Sequence, residues 1–226
     1  MSLNELDKAY EILAQASGDN DPDTNYKIAK NAYDTSNECL EAAIIMAMCL
    51  NEVDQKITIL LNAKDQNEHL IHKSNYRRLL YEIANLCMDA GFNRLALEHF
   101  LLLEKLDVDD DYHCYYHLLN LLALLEDEKI ANYIDINTND LKSLFPYAVY
   151  LYKSARFNES IACFKKIVSL NACFYGVLSG AIVEGEDEEN ADLKLALKIL
   201  RQNSYLVNSC PGFISYMVKH LDVCYN

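Results

Sequence analysis

Glycine and proline are scarce in this sequence, which has six glycines and three prolines in 226 residues. Such a shortage argues against an all-β protein, because the many tight turns of that class depend on these two residues. Long apolar runs are also missing, and no stretch reaches the roughly 18 apolar residues that a membrane-spanning helix needs. The sequence therefore predicts a mostly helical chain that does not enter a membrane.

Two further absences concern the N-terminus and the cysteines. The opening MSLNELDKAYEI has no basic segment followed by an apolar stretch, so we expect no secretory signal and an intracellular protein. Eight cysteines are present, but none forms a CxxC pair. In a reducing compartment we expect them to be small apolar core residues, with disulfides or a zinc site as the alternatives.

The chain has a large excess of negative charge, with a net charge of −14 at pH 7. Such a chain repels phosphate backbones, which argues against nucleic acid as the main ligand. We therefore expect a protein partner. The acidic stretch EGEDEEN, residues 184–190, is expected to be a solvated loop between helices, with docking of a basic segment of a partner as the alternative.

Two similar segments stand out, AGFNRLALEHF at residues 90–100 and SARFNESIACF at residues 154–164. Each has a small residue at a turn and a second small residue four positions before a phenylalanine. The tetratricopeptide repeat (TPR), about 34 residues in two helices, has the same A-x3-F feature after a series of large and small positions. Three segments fit these positions, and they begin at Leu80, Tyr115 and Leu144. The first interval between these starting residues is one full repeat, and the second is shorter.

Weaker matches extend this pattern in both directions. We therefore predict an all-α, right-handed superhelix of the TPR type, with about six helical hairpins and a C-terminal capping helix in a single domain over residues 1–226. Leu119 stands where the other two segments have Ala84 and Ala148, so it should push the helices of its hairpin apart. A generic helical bundle is the alternative, because the same apolar spacing occurs in any helical core.

The groove of such a stack is lined mainly by the first helix of each hairpin. The positions one and five residues after each starting residue are Tyr81 and Asn85, Tyr116 and Asn120, and Phe145 and Val149. An aromatic ring beside an amide suits a peptide backbone, so these positions are candidate partner-binding residues. Only Arg78 and Asn85 match the Lys, Arg and Asn set of the TPR carboxylate clamp, so a chaperone C-terminus is not the expected ligand.

A metal site is the one catalytic possibility that the sequence offers. His113 and His117 are four residues apart, a spacing that places two imidazoles on one face of a helix. However, no third ligand is indicated, and the glutamate of a zincin helix is missing. We expect neither a metal nor another cofactor, and we expect no catalytic residues.

Three longer stretches carry a family resemblance: YKIAKNAYDTSNECLEAAIIMAMCL from residue 26, LDVDDDYHCYYHLLNLLALLEDEK from residue 106 and FKKIVSLNACFYGVLSGAIVEGED from residue 164. In this order they resemble the N-terminal halves of the TPR scaffold subunits of the anaphase-promoting complex, the cyclosome. The resemblance spans most of residues 20–190. It implies a nuclear cell-cycle protein that helps to build a ubiquitin ligase and forms homodimers through its N-terminal repeats.

The leading hypothesis is thus a non-catalytic scaffold that homodimerises and organises a larger complex. A monomeric TPR adaptor that captures a peptide is the second, and a metal-dependent hydrolase using His113 and His117 is the third. For the dimer we expect contact through the first helix, whose stripe of Leu6, Tyr10 and Leu13 is more apolar than one neighbouring helix could cover. Tyr81 and Tyr116 would then contact the partner's first helix.

Overall fold

The chain folds into helices joined by short turns. The computed structural model describes residues 4–107, 111–135, 137–181 and 190–225, with side chains as far as residue 221, and these ranges contain no strand. The α-helices are α1 (Glu5–Leu13), α2 (Pro22–Thr35), α3 (Leu40–Met48), α4 (Val53–Gln66), α5 (Ser74–Asp89), α6 (Asn93–Leu106), α7 (Cys114–Leu124), α8 (Leu141–Lys153), α9 (Phe157–Leu170), α10 (Cys173–Leu178), α11 (Ala191–Gln202), α12 (Ser204–Asn208) and α13 (Phe213–Tyr225). The all-α prediction is confirmed for the described residues. Most of the acidic stretch at 184–190 lies outside them.

Local sequence explains where several helices begin. The side chains of Asn4 and Asp21 each accept a hydrogen bond from the backbone N–H three residues later, at 2.8 and 2.9 Å. Asn190 caps α11 in a similar way. Pro22 occupies the first turn of α2, where the N–H that it lacks would have no helical partner.

Contacts divide the chain into two compact units, unit 1 over residues 1–114 and unit 2 over residues 115–226. In unit 1 each helix from α1 to α6 packs against the next, and α3 also contacts α5. An apolar cluster joins its first three helices and consists of Ala9, Leu13, Ala29, Ala32, Cys39, Ala42 and Met46. Four of these seven residues are alanines, which allow close approach of the helices. This division into two units does not test the prediction of a single domain over residues 1–226, which stays a prediction.

Unit 2 has its own aromatic core. Helix α8 packs against α9, α10 packs against α11, and α13 contacts both α9 and α10. Phe145 lies at the centre, with ring centroids 6.3 Å from Phe164, 6.0 Å from Phe174 and 6.2 Å from Phe213. Phenylalanines from four helices therefore meet in one cluster.

Three helix-to-helix turns have the same backbone geometry. Gly91, Glu126 and Ala155 have φ of 80°, 58° and 59°, and they follow α5, α7 and α8. Each of these three residues is followed by one whose N–H donates a hydrogen bond back into the preceding helix. The acceptor is the carbonyl four positions before the residue with positive φ, and the distances are 2.8, 2.9 and 2.8 Å. The two intervals between these turn residues equal the two intervals between the starting residues of the three predicted segments. The register of the three segments is therefore the one that the sequence predicts.

The second helix of the middle segment differs from the prediction. Glu128–Asn132 forms a short 3₁₀ helix, whereas α6 and α9, which follow the other two turns, each have 14 residues. Ala131, which corresponds to the buried Ala96 and Ser160 of the other two segments, is exposed, and its neighbour Ile130 is buried in its place. Leu119, which stands where the other two segments have alanine, is fully buried.

Candidate functional site

The predicted groove residues of unit 1 lie on α5 and are partly occupied by contacts within the chain. The ring of Tyr81 is 4.8 Å from that of Tyr112 and 6.3 Å from that of Phe100. The amide of Asn85 donates to the carbonyl of Tyr81 at 3.1 Å, and Arg78 is exposed. Burial, and then the charge of Asp107, raises the pKa of the Tyr112 hydroxyl. One face of Tyr81 is therefore already covered by an aromatic neighbour.

The corresponding residues of unit 2 lie on α7. Tyr116 is half-buried, and the Nζ atom of Lys142 lies 5.1 Å from its ring centroid in a cation–π contact. The Oδ1 atom of Asn120 is buried and has no hydrogen-bond partner within the described part of the chain.

Phe145 is a core residue and not a groove residue. It is fully buried at the centre of the phenylalanine cluster, as is the next predicted groove position, Val149. The prediction assumed that every first helix exposes the same positions. In α8 every residue from 143 to 151 is buried, because α9, α11 and α12 all pack against this helix.

The predicted dimer stripe on α1 is largely covered within unit 1. Leu13 is only 9% exposed and belongs to the apolar cluster of the first three helices, and Leu6 packs against the same cluster. Ala9, between them, is fully buried. The prediction of an uncovered stripe is wrong for Leu13, because both α2 and α3 contact the side of α1 that carries it.

Tyr10 is the exposed member of that stripe, and it makes a specific contact with α3. Its ring is 38% exposed, and its hydroxyl donates to Oε2 of Glu41 at 2.7 Å. Burial and this bond to Glu41 raise the pKa of the Tyr10 hydroxyl above its ordinary value, and the Asn75 side chain of α5 opposes the shift. Side chains of α1, α3 and α5 therefore meet at one place on unit 1.

Helix α3 presents a narrow surface beside this contact. Six of its nine residues are buried. The other three are Glu41, Ile45 and Met48, at positions i, i+4 and i+7, which share one face of a helix. We call Glu41, Ile45 and Met48 the α3 stripe. Sequence analysis missed it, although the helical spacing of the three residues is a readable signal.

Four of the helices are followed by a buried polar residue, a feature that sequence analysis also missed. Asn67, Asp107, Asn171 and Asn203 follow α4, α6, α9 and α11, and all four are buried. Asn67 donates to the carbonyl of residue 37 at 3.0 Å, and Asn171 donates to that of residue 192 at 2.8 Å. These side chains connect the end of one hairpin to a neighbouring hairpin. Their signal in the sequence is that Asp107 and Asn171 are separated by the same interval as the two similar segments.

The histidine pair does not have the geometry that a helical metal site requires. His113 precedes α7 and has a φ of 49°, so it does not lie on a helical face with His117. Among the described residues, no group of three or more histidine, cysteine, aspartate or glutamate side chains could hold a metal ion. The i, i+4 premise of the hydrolase hypothesis is therefore wrong.

Among the described side chains no cysteine is joined in a disulfide, and most of the cysteines are buried. Burial raises the pKa of the Cys87 thiol to about 11 and that of the Cys163 thiol to about 12. Thiols held in this state are poor nucleophiles and poor metal ligands. Their environment suits the expected role as apolar core residues.

Comparison with family models gives no match for this chain, and comparison with curated proteins gives none either. Within the described ranges, no helix is both long and apolar enough to cross a membrane. The features that carry an argument about function are therefore the repeated turns, the α3 stripe and the contact between Tyr10 and Glu41.

Proposed function

We propose that this protein is a non-catalytic scaffold that binds other proteins through a stack of helical hairpins. The most direct support for this proposal is that residues 91, 126 and 155 all have a positive φ in equivalent turns between helices. Equivalent turns at repeat-like intervals are typical of solenoids. Solenoids commonly present extended surfaces for partners. A right-handed superhelix of about six hairpins with a C-terminal cap, intracellular and without cofactors, is part of this proposal.

The most specific form of the proposal follows the family resemblance. In that form the chain is a TPR scaffold subunit, similar to those of the anaphase-promoting complex, and it acts in the nucleus as a homodimer. Because Leu13 is buried in its own unit, this dimer would need an interface other than the α1 stripe.

The second form is a monomeric adaptor, and the covered first helix favours it. A terminal helix whose apolar residues pack within its own unit does not require a second chain. This form also relies on the contact between α1 and α3, where the exposed Tyr10 donates a hydrogen bond to the half-buried Glu41.

Light scattering of the purified chain separates the two forms. We expect a particle of 25.8 kDa, the mass of one chain, across a wide range of concentrations. A stable particle of twice that mass would support the homodimeric scaffold.

Capture of partners tests the shared part of the proposal. The immobilised chain is incubated with an extract of its source cells, with the heat-unfolded chain as a control. We expect proteins that the folded chain alone retains. Retention by neither sample, or equally by both, contradicts a protein-binding function.

A further inference from the structure

The α3 stripe has an unusual composition for a surface that faces solvent. Two of its three residues are apolar: Ile45 is half-buried and packs against the apolar cluster of unit 1, whereas Met48 is 59% exposed, the largest value among the large exposed apolar side chains that the structure describes. The solvent-facing side of a surface helix is normally charged or polar. The remaining sides of α3 are buried against unit 1, so this stripe is the part of the helix that another molecule can reach.

The N-terminal end of the stripe is acidic and accepts hydrogen bonds. The Tyr10 hydroxyl donates a hydrogen bond to Oε2 of Glu41. A carboxylate has only acceptor sites, so the remaining lone pairs of Glu41 can accept hydrogen bonds from further donors. No lysine or arginine among the described residues forms an ion pair with Glu41. Tyr10, which is 38% exposed, lies beside this carboxylate.

The C-terminal end of the stripe is also close to a negative charge. Burial, and then the charge of Asp23, raises the pKa of the Cys49 thiol, and Cys49 directly follows Met48. Asp23 is exposed in the first turn of α2. Glu41 thus belongs to one end of the stripe, and the charge of Asp23 influences the residue that follows the other end.

We infer that the α3 stripe, together with Tyr10, docks a segment of another protein that carries a lysine or arginine for Glu41 and an apolar side chain for Met48. Seven residues of helix separate these two positions, so the two side chains of the partner would lie about 10 Å apart. A second copy of this chain is poorly suited to the surface, because its own net charge is −14. This inference rests on the proposed protein-binding function and names the chemistry of one partner.

The test uses a display library of random peptides, each about a dozen residues long, selected on the immobilised full-length chain. We expect the recovered peptides to be enriched in lysine or arginine combined with leucine, methionine or phenylalanine. One recovered peptide is then labelled and titrated against variants by fluorescence anisotropy. Met48→Glu and Glu41→Lys should each weaken its binding by about tenfold or more, because each removes a central contact of the docked segment.

A matched control separates a local effect from a change in net charge. Glu98→Lys makes the same charge change on the exposed side of α6, and it should alter the affinity by less than about twofold at physiological salt. A peptide in which the basic residue is replaced by glutamate should bind Glu41→Lys better than it binds the unchanged chain. This exchange can occur only if the variant is folded.

The possible outcomes distinguish a failure of the docking inference from a failure of the proposed protein-binding function. Recovered peptides that lack basic residues, or that bind Met48→Glu and Glu41→Lys unchanged, overturn the inference and leave the protein-binding function in place. A concentration-dependent dimer that Met48→Glu abolishes assigns the stripe to a second copy and also overturns it. If no peptide is recovered and no protein is captured from extract, the proposed function itself fails.

Discussion

Ala155 has a backbone conformation that alanine rarely adopts, with a φ of 59° in the turn between α8 and α9. The left-handed region brings Cβ close to the backbone and costs about 1–2 kcal/mol for residues other than glycine. Gly91 holds the equivalent position between α5 and α6 without this cost. The two turns thus differ in strain although their hydrogen bonds are alike.

Replacing Ala155 with glycine should therefore stabilise the protein. Relief of strain outweighs the greater freedom of glycine in the unfolded chain, and we expect a gain of about 0.5–1 kcal/mol. The reverse change, Gly91→Ala, should cost about 1 kcal/mol through strain alone, because a Cβ there would meet no described atom within 4 Å. Urea unfolding monitored by circular dichroism measures both changes.

Ala90→Gly is the control for these substitutions. Ala90 has a φ of −81°, which alanine adopts without strain, so glycine should lower stability at this position. If Ala155→Gly lowers the unfolding midpoint as Ala90→Gly does, the strain argument is wrong.

His99 makes folding sensitive to mild acid. It is buried on α6, its Nδ1 lies 2.8 Å from the carbonyl oxygen of Leu95, and burial lowers the pKa of its imidazole. The unfolded chain, with a histidine pKa of about 6.5, therefore takes up the proton before the folded chain does. Stability should fall as the pH drops from about 6.5 towards the folded-state pKa, and it should be constant above about pH 7.5.

Unfolding free energies at about pH 7.5 and about pH 5.5 test this expectation, because most carboxylates titrate below that range. The variant His99→Gln should lose much of the difference between the two pH values, whatever its absolute stability. His72→Gln, at an exposed position, should retain the difference. Equal pH dependence in His99→Gln and the unchanged chain would contradict the role of His99.

Among the elements, the pair of α8 and α9 shows how closely the two helices of a hairpin approach. Ser160 is fully buried, and its hydroxyl donates to the carbonyl of Ala148 on the facing helix at 2.6 Å. A side chain as short as serine can reach a backbone carbonyl of another helix only where the two helices approach closely, and small residues at both positions allow this approach. The same position in α6 is Ala96, which is also fully buried.

Ser160→Ala should cost about 1 kcal/mol through the lost hydrogen bond, and Ser160→Val should cost about 1–3 kcal/mol more through overpacking. Thermal unfolding gives both values. Ser169→Ala is the matched control, since Ser169 lies on the exposed side of the same helix and its hydroxyl bonds to a carbonyl of its own helix. A valine variant as stable as the alanine variant would mean that the helices are not closely packed here.

The hairpins that sequence analysis predicted well are those in which local signals agree. In α5–α6 and α8–α9 the apolar spacing, the turn and the buried small residue all indicate the same register. The middle segment departs from the pattern: it has the larger Leu119 where the other two have alanine, and a short 3₁₀ helix follows its turn.

The candidate site was harder to predict than the hairpins, for a physical reason. Exposure depends on which helices pack against a given face, and the spacing within one helix does not contain that information. Leu13 is covered by neighbouring helices of unit 1, and Phe145 is covered by aromatic rings that include Phe213 of α13, which is distant in the sequence. Met48 is exposed although six of the nine residues of its helix are buried, so hydropathy alone would place it in the core.

For the whole molecule, the division into two units predicts that unit 1 folds alone. A fragment of residues 4–107 retains α1 to α6 and ends at the residue that caps α6. With about 100 residues it can bury a core sufficient for stability. We expect helical circular dichroism and a cooperative thermal transition.

A shorter fragment, residues 4–70, serves as the comparison. It lacks α5, which contacts both α3 and α4, so their apolar faces would be open to water. This fragment should unfold with a broad transition or aggregate. If the longer fragment behaves in the same way, unit 1 depends on the rest of the chain for its stability.

The exposure of Met48 also gives the protein a built-in chemical footprint. Hydrogen peroxide converts accessible methionines to sulfoxides, and each conversion adds one oxygen atom that mass spectrometry detects. Met46, two residues earlier on the same helix, is 8% exposed and serves as an internal reference within a single peptide. The ratio of oxidation at the two sulfur atoms would therefore report, in a living cell and without any label, the fraction of molecules whose α3 stripe is covered.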